Sequence, residues 1–348
     1  MTTNSFSKSA ILMVIIVSSA VICWELYLRN KGVKIAYDDG PPLWSAKRAM
    51  VYEPADKATV FIGSSRIKYD LDIDTWEKET GTKAIQLAVE GSSPIFVLED
   101  LGNDANFKGK LIVDITEITF FSNGSPRDAE TRKNINFFKE RTPTQRASFP
   151  LNYALESQFV FLDKQSLSLN ALLDKLELSN RKGIFTMPIF PLEFNRNTFD
   201  RQSKMSDKFL TDTSLQNRVT NIWQFFMERG KTAPPFTEEN LLGILNRAKT
   251  SIDKIKARGG EVLFVRPPSS GPFLQGESIG FPREKYWDRL LAFTNCPGIH
   301  FKDYPAIDHF ICPEWSHLTP KDAIIFTENF VQILEKDKGW KFSHKNSL

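Results

Sequence analysis

The 348-residue chain has few of the residues that build metal centres or disulfide frameworks, with only three cysteines and four histidines. Their spacing matches no common metal-ligand pattern, so the sequence predicts neither a metal site nor a cofactor. Glycine-rich phosphate-binding loops are missing, and so is the Gly-x-Ser-x-Gly turn of ordinary α/β-hydrolases. The net charge of +3 is nearly balanced, which gives no support to nucleic-acid binding.

The cysteines allow two interpretations. Cys23 lies in an apolar N-terminal run, whereas Cys296 and Cys312 bracket a short stretch near the end of the chain. In an exported domain the latter two are candidates for a disulfide. They are equally well explained as two unpaired, small apolar residues.

The N-terminal apolar run is long enough to cross a membrane. After a short tail over residues 1–9, residues 10–28 are almost entirely apolar or small, and about 20 such residues span a bilayer. We predict an uncleaved transmembrane anchor. A signal peptide cleaved after Ala20 and a buried or interfacial helix are the alternatives. The apolar character continues beyond Ala20, which favours the anchor.

The orientation of this anchor has conflicting signals. Three basic residues follow the anchor, namely Arg29, Lys31 and Lys34, whereas Lys8 precedes it. By the positive-inside rule, this excess favours a cytoplasmic location for the C-terminal domain. A short N-terminal tail followed by a long C-terminal domain favours export instead. The charge counts are too small to decide between the two.

The rest of the chain alternates strand and helix patterns after a predicted linker over residues 29–56. Strands are predicted at 59–62, 84–88, 110–115, 261–265 and 298–301, with helices at 72–80, 93–101, 237–257, 284–293 and 320–335. This order predicts an α/β fold with a doubly wound parallel sheet. Residues from about 120 to 235 do not follow the rhythm, and we interpret them as an inserted, mainly helical cap.

Three small or hydroxyl-bearing residues follow predicted strand ends. Ser65, Gly91 and Thr116 come after the first three strands. Ligands of open α/β sheets bind at the carboxyl ends of the strands, so these residues are expected to share one crevice.

A carboxylate and a histidine lie close together near the end of the chain. Glu314 precedes His317 by three residues, just before the last predicted helix. Ser65 would supply a hydroxyl nucleophile, His317 a general base and Glu314 an orienting acid. These are the groups that acyl-ester chemistry requires. Taken singly, Ser65 is better explained as a helix cap and His317 as a surface histidine.

These segments resemble three sequence blocks of the SGNH/GDSL hydrolase superfamily. The matching stretches are Gly63-Ser64-Ser65-Arg66, Gln86–Pro94 and Glu314–Pro320, and the Gly-Ser-Ser turn is similar to that of membrane-anchored, envelope-acting branches. The resemblance implies a five-stranded flavodoxin-like sheet over residues 57–348. It also implies Ser65 as nucleophile, His317 as base and Glu314 as acid, with Asp308 as an alternative acid.

The resemblance also implies how an oxyanion would be bound. The donors would be the N–H groups of Ser65 and Gly91, together with Thr116, which stands where the family has an asparagine. Because one missing donor typically costs about 10²–10³ in rate, this departure predicts a weakened oxyanion hole. Arg266, at the end of the fourth strand, is a candidate for contact with an anionic substrate or an ordinary salt-bridging arginine.

The implied function is that of a membrane-anchored, extracytoplasmic serine esterase or O-acyltransferase. Its substrates would be acyl groups, above all acetyl groups, on a cell-envelope or exported polysaccharide. The expected partners are the lipid bilayer and either an acylated glycan or an acyl-donor membrane protein. The alternative is an inactive SGNH-like scaffold that binds glycan or partner proteins in a membrane complex.

Overall fold

The structure of the protein is a computed structural model that describes residues 3–174, 176, 188–232 and 234–342. The chain divides into two compact units. One contains residues 1–38 and 142–186, and the other, here called the main unit, contains residues 39–141 and 187–348.

The main unit is built on a parallel sheet of five strands within the described residues, in the order β2-β1-β3-β6-β7. A short antiparallel hairpin, β4 with β5, lies outside this sheet. The strands are β1 Ala58–Ile62, β2 Lys83–Gln86, β3 Lys110–Asp114, β4 Arg196–Asn197, β5 Ser203–Lys204, β6 Glu261–Arg266 and β7 Gly298–His300.

Helices and short helical turns account for most of the remaining described chain. Three 3-10 turns cover Ala49–Tyr52, Val160–Leu162 and Phe301–Asp303, and a π-helical turn covers Glu284–Asp288. The α-helices are α1 Thr3–Asn30, α2 Pro41–Arg48, α3 Ser65–Asp70, α4 Ile73–Thr80, α5 Ile95–Asn103, α6 Glu117–Phe120, α7 Asp128–Glu140, α8 Pro143–Glu156, α9 Lys164–Leu167, α10 Leu169–Asp174, α11 Asp207–Thr211, α12 Thr213–Gly230, α13 Glu238–Ala257, α14 Gly271–Gly280, α15 Arg289–Thr294 and α16 Pro320–Lys336.

The central strands are buried on both faces, as expected for a parallel sheet covered by helices. Successive side chains of a strand point to opposite faces, so the apolar residues divide between two core clusters. Val60 and Val113 belong to a cluster that includes residues of α5 and α13. Phe61 and Ile112 belong to a second cluster with residues of α4 and α16.

The five predicted strands correspond to the five strands of the sheet, so the predicted α/β parallel architecture is confirmed. The helices predicted at 237–257 and 320–335 correspond to α13 and α16. Each begins with a threonine cap, Thr237 or Thr319, whose hydroxyl accepts an N–H of the first turn.

The predicted linker over residues 29–56 was too long, because its second half is folded. Pro41 and Pro42 start α2, where a proline fits the first turn without losing a hydrogen bond. Trp44 is fully buried and donates its indole N–H to the Leu87 carbonyl at 3.0 Å. Arg48 is buried and paired with Asp100.

The segment predicted as one cap, residues 120–235, is divided between the two units. Residues 142–186, with α8, α9 and α10, belong with α1, whereas α7, α11 and α12 belong to the main unit. Residues 175, 177–187 and 233 lie outside the described residues. Predicted strands and helices do not alternate in either part of this segment, so the sequence pattern did not indicate that the segment is divided between two units.

Helix α1 contains the predicted membrane anchor. Residues Phe6–Asn30 are long and apolar enough to cross a membrane by length and composition. The predicted span over residues 10–28 lies within this helix.

Cys296 and Cys312 are both free and buried. Cys296 lies in the core cluster of Val60 and Cys312 in that of Phe61, so the two thiols are on opposite sides of the sheet. A disulfide requires Cα atoms within about 7 Å, which this placement does not allow. Of the two interpretations given above, the structure supports two unpaired apolar residues.

Gly102 lies where α5 closely approaches Ser251 of α13. A Cβ atom there would lie 2.8 Å from Ser251 Cβ and 2.9 Å from Ser251 Cα. We therefore expect Gly102→Ala to destabilise the protein by about 1–3 kcal/mol through overpacking. Gly243→Ala, also in a helix but with open space around the new methyl group, is the matched control and is expected to stabilise by up to about 1 kcal/mol.

Urea unfolding followed by tryptophan fluorescence measures both effects. A midpoint for Gly102→Ala equal to that of the parent protein would mean that α5 and α13 separate easily, contrary to this packing.

Candidate active site

Ser65 lies at a sharp turn between β1 and α3. Gly63 follows β1 directly, and a Cβ atom at this position would lie 2.4 Å from Asp114 Cβ, so only glycine fits. Ser65 is the first residue of α3 and is half-buried. Its own N–H belongs to the first helical turn, whose N–H groups have no partner within the helix. The turn thus presents both a hydroxyl and a free N–H donor.

Ser65, His317 and Glu314 form a continuous hydrogen-bonded chain. The distance from Ser65 Oγ to His317 Nε2 is 2.8 Å, and that from His317 Nδ1 to Glu314 Oε1 is 2.9 Å. With the ring proton on Nδ1, His317 donates to the carboxylate and accepts the Ser65 hydroxyl proton. This is the geometry required of a nucleophile, a general base and an orienting acid.

The carboxylate of Glu314 is held from two directions. Oε1 accepts the backbone N–H of His317 at 2.7 Å in addition to the ring N–H. Oε2 accepts the indole N–H of Trp223 at 2.5 Å, and Trp223 belongs to α12. Sequence reasoning missed Trp223, because no motif connects it with a glutamate that follows 91 residues later. Both oxygens are therefore fixed before any reaction begins.

Aromatic rings surround the imidazole of His317. The ring centroids of Tyr69, Phe194 and Trp223 lie 4.4, 5.6 and 6.1 Å from that of the imidazole. His317 itself is 1% exposed. Water has little access to the ring, and this strengthens its hydrogen bonds to Ser65 and Glu314.

The loop that carries Glu314 and His317 contains one strained residue. Trp315 has a φ of 79°, in the left-handed region that bulky side chains avoid. Its carbonyl accepts the Ser270 N–H at 2.8 Å, which helps to hold this conformation. At the other end of the loop, the Leu318 N–H donates to Asp70 Oδ1 at 2.9 Å. Burial raises the pKa of Asp70 well above its usual range.

The predicted oxyanion donors are only partly free. The Gly91 N–H donates to Ser64 Oγ at 3.0 Å, and the Thr116 hydroxyl lies 3.3 Å from Asp114 Oδ2. The Ser65 N–H remains in the open first turn of α3. A hydroxyl that accepts one hydrogen bond still carries a donor proton, which makes Ser64 a candidate donor beside Ser65. The sequence pattern alone assigned Ser64 no role in catalysis.

Arg266, the candidate substrate contact, is fully occupied inside the protein. Its guanidinium donates to Glu117 Oε1 at 2.9 Å, to Glu277 Oε2 at 2.6 Å and to Ser269 Oγ at 2.9 Å. Arg266 is 2% exposed. Of the alternatives weighed from the sequence, the structure supports the salt-bridging arginine, because the glutamate partners are supplied by α6 and α14.

Arg66 extends this group of charges to the site itself. Its guanidinium bonds to Glu277 Oε1, and its Nε donates to Ser316 Oγ at 3.3 Å. Burial opposes ionisation of Glu277, but Arg66 and Arg266 outweigh burial and lower the pKa of the carboxyl group. Arg66 follows Ser65 and Ser316 precedes His317, so the contact links the two loops that carry the reacting groups.

Asp308, the alternative acid, is exposed, whereas Glu314 is fully buried against His317. The structure therefore brings together Ser65, His317 and Glu314 and leaves Asp308 outside their hydrogen-bonded chain. Among the described residues, no group of three or more histidine, cysteine or acidic side chains is arranged to hold a metal ion.

No protein-family model matches the chain, and no curated protein matches it either. The residues and geometry of the site are therefore the basis for inferring its function.

Asp114 lies beneath the Ser65 turn and accepts the Ser64 N–H at 3.0 Å. Burial raises the pKa of its carboxyl group from 3.8 to about 6. Because the folded-state pKa is the higher one, Asp114 contributes stability at low pH, which is lost as the pH rises through about 6.

We expect Asp114→Asn, which keeps an acceptor for the Ser64 N–H, to remove this loss. The free energy of unfolding of both proteins is measured by urea denaturation between pH 4 and pH 7, a range of about 3 units around the shifted pKa. The parent should lose stability relative to the variant as the pH rises. A difference that does not change with pH would contradict the assigned pKa.

Proposed function

We propose that the protein is a membrane-anchored, extracytoplasmic SGNH-type serine esterase or O-acyltransferase. It acts on acyl groups, above all acetyl groups, of a cell-envelope or exported polysaccharide. The observation that carries the proposal is the chain of two short hydrogen bonds from Ser65 through His317 to Glu314. The anchoring comes from the apolar N-terminal helix, and the compartment and the substrate class come from the resemblance to the SGNH/GDSL superfamily.

The proposed reaction begins when Ser65 Oγ attacks the acyl carbonyl. His317 Nε2 takes the Ser65 proton, and the carboxylate of Glu314 stabilises the imidazolium that forms. The carbonyl oxygen becomes an oxyanion at the N-terminus of α3, where the Ser65 N–H is directed. Collapse of the tetrahedral intermediate expels the sugar oxygen, which receives the proton from His317. Water or another sugar hydroxyl then resolves the acyl-enzyme by the same steps.

The strand order of the sheet supports the proposed family. Counted along the chain, the five strands of the sheet lie in the order 2-1-3-4-5, which is that of flavodoxin-like folds. Ser65 and Thr116 follow the carboxyl ends of β1 and β3, where ligands of such sheets bind. A site at this edge agrees with a hydrolase of the SGNH type.

One observation favours the alternative, an inactive scaffold that binds glycan or partner proteins in a membrane complex. Two of the three expected oxyanion donors, the Gly91 N–H and the Thr116 hydroxyl, already have partners within the protein. An active site needs donors aimed at the position of the oxyanion. The two functions differ in whether Ser65 reacts.

Labelling with a serine-reactive fluorophosphonate tests this difference. We expect the parent protein to be labelled and Ser65→Ala to lose labelling, because the nucleophile is gone. Turnover of acetylated model glycans should fall by about 10⁴-fold or more in the same variant. Ser278→Ala, which removes an exposed hydroxyl on α14, is the control and should behave as the parent. A well-folded parent with neither labelling nor turnover would overturn the proposed enzyme and favour the scaffold.

Trp223→Phe tests the role of the indole N–H. The variant keeps an aromatic ring near His317 but removes a hydrogen bond to a charged oxygen, worth about 1.5–3 kcal/mol in stability measurements. We expect labelling at least about tenfold slower, corresponding to about 1.4 kcal/mol of lost transition-state stabilisation. Phe225→Leu, on another face of the same helix, is the control. Equal labelling rates for Trp223→Phe and the parent would limit Trp223 to a packing role.

A further inference from the structure

Helix α8 exposes an apolar face that the described structure leaves uncovered. The helix has no buried residue, and Leu151 and Leu155 are 69% and 51% exposed. Residues three or four apart lie on one side of a helix, so these leucines share a face with other exposed apolar residues. This face, here called the α8 stripe, consists of Ala147, Pro150, Leu151, Ala154 and Leu155.

The other face of α8 packs within its own unit. Phe149, Tyr153 and Glu156 are only partly exposed, and the ring of Tyr153 lies 5.9 Å from that of Tyr37. The helix therefore has a packed side and an outer side, and the outer side is the apolar one. In a soluble protein the apolar side of a helix is normally the packed side, and the polar side faces water.

More apolar surface of the same unit is exposed after α8. Phe159 lies three residues after the end of α8 and is 39% exposed. Leu169, Leu172 and Leu173 of α10 are 72%, 47% and 50% exposed. Large apolar side chains gathered in this way mark a surface that meets an apolar phase or a partner.

Hydrogen bonds tie the segment after α8 to the end of α1. The carboxylate of Glu25 accepts the backbone N–H groups of Val160 and Phe161, each at 3.1 Å. Arg29 donates to Glu25 Oε1 at 2.7 Å and to the Gln158 carbonyl at 2.7 Å. Glu25 is 9% exposed, so these bonds are largely shielded from water.

The same turn of α1 has the composition of a membrane–water interface. Trp24 and Tyr27 are about half exposed, and their stacked rings lie 5.6 Å apart. Tryptophan and tyrosine concentrate where membrane helices pass through the headgroup layer, and basic residues follow them there. Arg29 and Lys31 occupy these positions. If α1 crosses a bilayer, Glu25 would hold the chain after α8 at the depth of the headgroups.

We propose that the α8 stripe lies in the headgroup–acyl boundary of the bilayer that α1 enters. The occupant of this face is lipid, and the exposed Arg146 beside the stripe is available to lipid phosphates. An amphipathic helix in this position buries its apolar face about 5–10 Å into the boundary. The inference rests on the proposed membrane anchoring by α1 and does not depend on the chemistry of Ser65.

Depth-dependent fluorescence quenching in reconstituted vesicles tests the proposal with the full chain. The background carries Cys23→Ser, because Cys296 and Cys312 are buried and Cys23 is exposed. Single variants Leu151→Cys and Leu155→Cys are labelled with an environment-sensitive fluorophore. The vesicles contain mixed zwitterionic and anionic phospholipids, with a nitroxide placed either near the headgroup or deep in the acyl chain. Asn152→Cys, exposed on α8 but off the stripe, is the matched control.

We expect labels at 151 and 155 to emit at shorter wavelength than the label at 152. They should also be quenched more strongly by the shallow nitroxide than by the deep one, while the control is quenched weakly by both. Emission as in water at 151 and 155 would overturn the proposal. A blue-shifted emission without quenching by either lipid would also overturn it, because the stripe would then be covered by protein, such as a second copy of the chain.

Discussion

Two buried arginines and two buried glutamates hold the parts of the candidate site at a fixed spacing. Arg66 follows Ser65, and its guanidinium contacts both Ser316 and Glu277. Glu277 is shared with Arg266, which also binds Glu117. Removal of one member of such a group leaves an unpaired buried charge and costs about 3–5 kcal/mol. The short contact between Ser65 and His317 therefore depends on charges that take no part in the proposed chemistry.

The sequence was sufficient to predict the sheet and the helices with clear periodicity. Each of the five strands of the sheet is a short apolar run bounded by glycine, proline or a polar residue. Such local patterns can be identified without knowledge of the fold. The grouping of Ser65 with Gly91 and Thr116 was expected because parallel strands end at one edge of a sheet. The grouping of Ser65 with His317 and Glu314 was expected from their chemistry and from the resemblance to the SGNH/GDSL superfamily, since neither His317 nor Glu314 follows a strand end.

Other features depend on contacts that no local pattern encodes. The indole of Trp223 reaches Glu314 across 91 residues, and Arg66 reaches Ser316 across 250. Arg266 was uncertain for the same reason, since its partners Glu117 and Glu277 are distant in sequence. The linker was misjudged because Asp-Asp-Gly-Pro-Pro is typical both of an extended connection and of the start of a helix, here α2.

Ser65 and His317 are 252 positions apart in the chain, so they are synthesised at different times. A ribosome that adds about 5–20 residues per second takes roughly 10–50 s to produce the chain between them. During that interval Ser65 has a turn and a helix but no base, and a serine without a base is a poor nucleophile. Acyl transfer at Ser65 therefore requires that the loop carrying His317 and helix α16 have packed on the sheet. A partly synthesised chain is consequently inactive.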